Sequence, residues 1–267
     1  ALAALPDARP VMNANGLVAL YTAATDRYPH AVLGDALEGG ALVILATQAG
    51  ELALHSRVDL PASAVFEGVA PFWADLDVDG LPEVVTTVSA AGEGARLRVY
   101  RADGAPLTET PPIGLGFRWR HQLAVAFFDD GETPLLVEVR TPHLGGVVGF
   151  WRLEGDMLVE VGNLRGYTSH LIRSPNLDMA VAGDFSGDGL PEIVLMNSDN
   201  PSEVVGLQFS AADGVLEAAF RLQSAPLSTN FAPVHLPDGR LVLGYGTEAG
   251  TWEIGLGAEG AAFSPGN

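Results

Sequence analysis

The chain has 267 residues, 48% of them hydrophobic, with 32 glycines, 18 prolines and no cysteine. This composition suits one large all-β domain rich in turns and excludes disulfide and thiolate chemistry. All 14 basic residues are arginines, set against 33 acids for a formal charge of −19, so nucleic-acid phosphates and anionic lipid surfaces are repelled, and no apolar run is long enough to span a membrane.

In chain order, residues 1–15 read as a tail. Its opening, Ala1-Leu2-Ala3-Ala4, lacks a Met and suits a chain that follows a removed signal peptide or has been trimmed. Residues 16–22 predict a strand. Beyond them, apolar β-branched runs follow turn glycines at Gly39, Gly80, Gly131, Gly189 and Gly239, spaced by 41, 51, 58 and 50 residues. A period near fifty signals propeller blades of four short antiparallel strands. The expected blades cover about 28–66, 69–110, 121–162, 177–222 and 229–257 of a single domain, 1–267. Five blades is the expected count; six is the alternative, because 61–68 and 106–116 are unassigned. The last unit runs short of chain, so strand 16–22 is expected to complete it and close the ring, which removes free sheet edges.

The inner strands read as continuous apolar runs, such as Ile193-Val194-Leu195-Met196, whereas Arg96-Leu97-Arg98-Val99-Tyr100-Arg101 alternates. That is the texture of strands covered on both faces followed by strands nearer the solvent.

Two loops carry the chemistry. Asp75-Leu-Asp77-Val-Asp79-Gly80-Leu81-Pro-Glu83 and Asp184-Phe-Ser186-Gly-Asp188-Gly189-Leu190-Pro-Glu192 repeat one pattern of oxygen-bearing side chains at alternate positions. A hard cation such as calcium takes roughly six to eight oxygen ligands, and a glycine makes the sharp turn. The expected ligands are Asp75, Asp77, Asp79, Glu83 and the Leu81 carbonyl in one loop, and Asp184, Ser186, Asp188, Glu192 and the Leu190 carbonyl in the other. An EF-hand is excluded, since position twelve is Thr86 or Leu195 where a bidentate glutamate is needed, and the flanks are strands. The bland reading, a tight Asp-Gly turn, is weakened by the recurrence of the whole pattern. The loops ending at Gly39, Gly131 and Gly239 lack the carboxylates and are not expected to bind metal.

These two loops, each entered through Ala74-Asp75 or Gly183-Asp184, resemble FG-GAP/VCBS repeats, the blades of integrin α-subunit propellers and of many bacterial extracytoplasmic proteins. The resemblance covers about residues 28–256, closely in two repeats and in outline in three. It implies calcium hairpins between the first and second strands of a blade, on one face of the propeller. Calcium loops of this kind work best where calcium is plentiful, so a periplasmic or secreted location is expected.

Loops entering the blades hold Tyr28 and His30; Arg118, Arg120 and His121; and His170, Arg173 and Asn176. They are expected to form a His/Arg-rich face opposite the calcium hairpins that binds a partner protein or a small anionic or carbohydrate-like ligand through guanidinium forks and stacking. The bland alternative for each is a histidine bonded to backbone or a solvated counter-ion. A transition metal held by His30, His121 and His170 is a further option. The expectation is a binding protein rather than an enzyme, since no nucleophile elbow, phosphate loop or zinc-protease helix occurs. The alternative is a propeller enzyme, carbohydrate-active or transition-metal-dependent, at the channel mouth, with Asp26, Asp178 and Glu248 as spare acids. Oligomeric state is not legible.

Overall fold

The computed structural model describes residues 3–48 and 50–256; expectations for Ala1, Leu2 and Gly257 fall outside them. The described residues contain no helix, hence none long and apolar enough to cross a membrane. The chain divides into two compact units, one of residues up to 122 with 153–159, the other of 123–152 and from 160 onward.

The first unit begins with an antiparallel meander of β1 (Val11–Met12), β2 (Leu17–Thr25), β3 (Glu38–Gln48) and β4 (Glu51–Asp59). After β5 (Ala64–Phe66) comes a second meander of β6 (Phe72–Ala74), β7 (Glu83–Ala90), β8 (Gly94–Tyr100) and β9 (Pro106–Glu109). Strand β5 pairs with β7 and touches β3 at the single pair Gly39↔Phe66, which joins both meanders into one nine-stranded sheet.

Next, β10 (Arg120–Ala126), β11 (Leu135–Arg140), β12 (Val147–Glu154) and β13 (Met157–Arg165) form a four-stranded sheet in sequence order. In the second unit β14 (Tyr167–Thr168) and β15 (Val181–Gly183) both pair with β16 (Glu192–Asn197), which is followed by β17 (Glu203–Ser210) and β18 (Val215–Gln223). The chain then forms a three-stranded sheet, β19 (Ala232–His235), β20 (Leu241–Gly246) and β21 (Trp252–Leu256).

Burial follows position in the sheet, as the apolar texture predicts. Strands β7, β11 and β16 are buried through all but their last residue, whereas β4 and β18 are mostly exposed. In β8, Leu97 and Val99 are buried between partly exposed Arg96 and Arg98. A strand covered on both faces must be apolar throughout; one facing water need be so only on alternate residues. In the second unit one core cluster joins β11 and β12 to β16 and β17, with Phe150 stacked on Phe209 at 5.4 Å. A second cluster joins β16 and β17 to β20.

Two expectations are corrected. Residues 16–22 do not complete the last sheet: β2 pairs with β3 from Leu17↔Ala46 to Thr25↔Glu38 and with β1 on its other edge. The local hairpin satisfies that backbone without a partner from the far end of the chain. For the same reason the first meander begins before residue 28, and residues 28–37 form the loop that bears Tyr28 and His30. Pro29, Gly34 and Asp35 favour this, with Asp35 Oδ1 accepting the Leu37 amide at 2.7 Å. The two unassigned stretches contain β5 and β9.

One glycine in the second unit is fixed by close approach. Gly146 has φ +40°, and a Cβ there would lie 1.7 Å from the Tyr167 carbonyl oxygen. No side-chain rotation relieves a clash with backbone, so Gly146→Ala should cost at least about 3 kcal/mol in urea unfolding; a loss under about 1 kcal/mol would show that the two segments separate freely.

Candidate functional site

The first acidic hairpin is set by its strands. The pair Ala74↔Glu83 is the last of the β6–β7 ladder, so residues 75–82 project beyond it as one loop. Leu76, 1% exposed, pins the loop to the core, and its amide donates to Glu83 Oε2 at 2.9 Å. Asp75 Oδ2 accepts the Gly80 amide at 3.0 Å and Asp79 Oδ1 the Leu81 amide at 2.7 Å. Gly80 takes φ +85°, and even Val78 is forced to +61°. Oxygens of Asp75, Asp77 and Glu83 all fall within 4.8 Å of one another. Burial pushes the Glu83 carboxyl up to about 7, and the three aspartates add to the shift.

The second hairpin repeats the design. Glu192 closes the β15–β16 ladder opposite Gly183 and accepts the Phe185 and Ser186 amides through Oε2. Asp184 gathers the amides of Gly187, Asp188 and Gly189. Asp188 takes the Leu190 amide and the Gln208 side-chain amide, the latter at 2.6 Å. Oxygens of Asp184, Asp188 and Glu192 converge within 4.8 Å, and burial raises the Glu192 carboxyl.

Amide bonds within a turn explain many of these carboxylates but leave others unexplained. Asp75 Oδ1, Ser186 Oγ and Glu192 Oε1 are buried with no hydrogen-bond partner. Unpaired buried acceptors beside convergent carboxylates suit a hard oxygen-seeking cation. Asp79 is tied to Leu81 and lies outside the convergent trio; Ser186 stands beside its trio with an unpaired hydroxyl.

The β10–β11 hairpin solves the same problem differently. Phe128 takes the buried place of Leu76 and Phe185, and Leu135 replaces the buried glutamate. Arg152, opposite Leu135 in the ladder, donates to Asp129 Oδ2 at 2.6 Å. A guanidinium supplies the positive charge there, which no sequence spacing announced.

Of the expected ligand-face residues in the first unit, Arg118 is exposed, whereas Tyr28, Arg120 and His121 are buried. Arg120 Nη1 donates to Thr110 Oγ1 at 2.6 Å, and the His121 ring stacks on Trp119 at 4.6 Å. His30 Nδ1 lies 2.5 Å from Glu67 Oε1, while Ser89 Oγ donates to Glu67 Oε2. The His30 ring stacks on Phe117 at 5.6 Å and meets the edge of Tyr28 at 6.3 Å. Glu38 lies in this group, its Oε2 accepting the Gly68 amide at 3.0 Å. Burial and the Glu67 charge push the Glu38 carboxyl up to about 9, and burial pushes the Tyr28 phenol up to about 12.

In the second unit Arg173 is exposed with φ +65°, and Asn176 Nδ2 donates to the Ser228 carbonyl. His170 is buried, 2.8 Å from the Ser174 carbonyl through Nε2 and 2.7 Å from His143 Nε2 through Nδ1. A carbonyl only accepts, so the His170 proton sits on Nε2 and His143 donates to Nδ1. Burial lowers the His170 pKa. Among the described residues no group of three or more metal-type ligands includes a histidine. Asp26, Asp178 and Glu248 are exposed. Glu38, Glu67 and Ser89 were not singled out from the sequence, because they come together from three separate strand ends and no spacing links them.

A scan against protein-family models matches none, and a search of curated proteins finds no match. Solved structures do resemble the fold. A rhamnogalacturonan lyase PL11 from Bacillus licheniformis aligns with TM-score 0.60 and 16% identity over 99% of this chain and 53% of its own. The rhamnogalacturonan lyase YesW gives 0.56 and 14% over 98% and 54%. The C-terminal WD40 domain of Sif2 gives 0.53 and 12% over 99% and 64%. The chain spans between half and two thirds of these chains' lengths. At such identities the likeness is one of fold, a β-propeller-like all-β arrangement, WD40 repeats being propeller blades.

Two outcomes follow. Arg152→Gln leaves Asp129 buried without its cation and should cost about 3 kcal/mol in urea unfolding, with chelator making no difference to that loss. Glu38 keeps its proton in the folded chain up to about 9 but loses it near 4.5 when unfolded. Its contribution to stability is therefore complete below 4.5 and disappears as pH rises through 9. Melting temperature should fall less steeply for Glu38→Gln than for wild type between about pH 5 and about pH 9; parallel slopes would place the buried proton elsewhere.

Proposed function

We propose that the chain is a calcium-stabilised propeller scaffold of the FG-GAP/VCBS kind, with five blades, that works outside the cytoplasm and binds a ligand or partner protein. The observation that carries this reading is the pair of hairpins whose carboxylates converge within 4.8 Å while buried oxygens beside them lack partners. Calcium would be held by Asp75, Asp77 and Glu83 in one hairpin and by Asp184, Asp188 and Glu192 with Ser186 in the other, and would supply charge neutralisation. Asp79 and the Leu81 and Leu190 carbonyls complete the proposed sets. Ligand contacts are proposed in each unit by itself, on the loops bearing Tyr28, His30, Arg118, Arg120 and His121 in the first and on the loop bearing His170, Arg173 and Asn176 in the second. There the exposed Arg118 and Arg173 would make contact, and the buried members hold the loops in shape.

One observation favours a second reading as an enzyme. Glu67 fixes the His30 ring through Nδ1, the arrangement by which a carboxylate orients a general-base imidazole. Two of the similar structures are titled rhamnogalacturonan lyases, so that polysaccharide is the substrate to try, with His30→Ala as the control.

Calcium added to chelated protein should raise the melting temperature by several degrees, because binding to the folded state alone stabilises it by mass action. Asp77→Ala should remove the first hairpin's share, and Asp77→Ala with Asp188→Ala nearly all of it. Identical melting with calcium and with chelator, in wild type and both variants, would reduce the hairpins to turns.

A further inference from the structure

The loop entering β10 is held unlike the other loops that bear the expected ligand-face residues. In the second unit the Ser174 amide donates to the Leu171 carbonyl at 2.9 Å, and Asn176 Nδ2 to the Ser228 carbonyl at 2.8 Å. The loop leaving β2 is tied by Arg27 Nε, which donates to the Ala64 carbonyl at 2.7 Å, and by His30 on Glu67. Leu115, Gly116, Phe117 and Arg118, in contrast, make no hydrogen bond among the described residues. All four are exposed, and their anchor is the Phe117 ring, 5.6 Å from that of His30 and 5.1 Å from that of Tyr28.

Both ends of this segment are fixed. The Ile113 and Gly114 amides donate to the Ala95 and Glu93 carbonyls at 2.9 and 3.0 Å. The Gly114 carbonyl oxygen approaches Gly94 so closely that a Cβ there would lie 2.0 Å from it. At the far end Trp119 is buried. Between these points the backbone is left-handed at Gly114, Gly116 and Phe117, with φ of +94°, +101° and +49°. Glycine takes such values freely, whereas a phenylalanine there is strained by roughly 1–3 kcal/mol.

The magnitudes leave closed and open arrangements close in free energy. Fixing four residues costs roughly 1–2 kcal/mol each in backbone entropy, of which tethered ends have already removed a part, and the Phe117 strain adds to it. Against this stand one half-buried phenyl ring, about 1.5 kcal/mol, and two ring contacts of about 0.5–1.5 kcal/mol each.

We infer that residues 115–118 are a flap that opens and closes over His30, with Gly114 and Gly116 as hinges and the Phe117 ring as its latch. Closed, the phenyl ring lies on one face of the imidazole, whose Nδ1 is already taken by Glu67. Open, that face is free beside Nε2, the ring nitrogen with no hydrogen bond among the described residues. Opening also releases the strain at Phe117, so a ligand that prefers the open state has only a small difference to supply. The flap depends neither on calcium nor on whether His30 serves catalysis or binding.

Relaxation-dispersion and saturation-transfer NMR on the full chain read this motion, at the amides of 115–118 and the ring C–H groups of Tyr28 and His30. One shared microsecond-to-millisecond exchange process is expected, with an open state of roughly 1–10%. In Phe117→Ala, exchange at His30 should vanish and its ring signals should sit where the open state of the wild type places them. Phe117 is 49% exposed, so this variant keeps its fold, which melting checks. Should it fold poorly, Phe117→Leu carries the comparison, with the open share raised above that of the wild type. Absence of exchange at 115–118, unequal rates in the flap and the His30 ring, exchange at His30 that persists in Phe117→Ala, or an open share unchanged in Phe117→Leu overturns the inference.

Discussion

Inner strands buried on both faces leave no place for uncompensated charge, and the structure turns on how that constraint is met where each inner strand begins. In β7 and β16 the first residue is a buried glutamate, Glu83 or Glu192. Each reaches back across its hairpin to a backbone amide one turn earlier, that of Leu76 or Phe185, at 2.9 Å. The glutamate thereby shapes the loop, and the apolar residue whose amide it accepts anchors the loop in the core. The carboxylate that closes the turn also belongs to the group of carboxylates that converge within 4.8 Å, so hairpin geometry and the proposed metal site would be one arrangement.

The β10–β11 hairpin shows what the same geometry becomes when the glutamate is lost. Leu135 occupies its place with no amide to accept, Phe128 still anchors the loop, and the one buried aspartate turns to Arg152 from the neighbouring strand. Fixed positive charge on a side chain stands where the other two hairpins have convergent negative charge. The difference between a hairpin with convergent carboxylates and one with an internal ion pair thus comes down to two positions, the strand's first residue and its cross-strand neighbour.

Much of this was legible in the sequence. The apolar runs after the turn glycines located β3, β7, β11, β16 and β20, alternation located β8, and the oxygen spacing of residues 75–83 and 184–192 located both convergent groups, because in each the carboxylates are neighbours along one loop. What failed depends on pairing partners. The strand containing Leu17–Tyr21 looks the same whether it joins β3 or a distant sheet, and only the hairpin connection through residues 26–37 decides between them. Likewise Glu38, Glu67 and Ser89 are each unremarked within their own strands. Their meeting around His30 follows from β3, β5 and β7 adjoining in one sheet, which no local spacing encodes.

The arginine supply explains why buried acids are handled in such different ways. With 33 acids to 14 arginines and no lysine, guanidinium partners cannot be general. Asp129 takes one outright. Glu138, fully buried, shares Arg140 at 3.8 Å and relies on the Trp151 indole N–H at 2.9 Å. Glu67 takes an imidazole and a hydroxyl, and Glu38 takes a proton, which its raised pKa expresses. Glu83 and Glu192 have backbone amides and aspartate neighbours but no cationic side chain, and their carboxyls are raised accordingly. A buried carboxylate crowded by others has two routes to neutrality, a proton or a metal ion. Protonation satisfies Glu38, which accepts an amide and lies among phenols. A proton on Glu83 or Glu192 gives one O–H to one neighbouring oxygen, whereas a divalent ion would contact all the carboxylates that converge within 4.8 Å, and that convergence is what would favour an ion over a proton in the two hairpins.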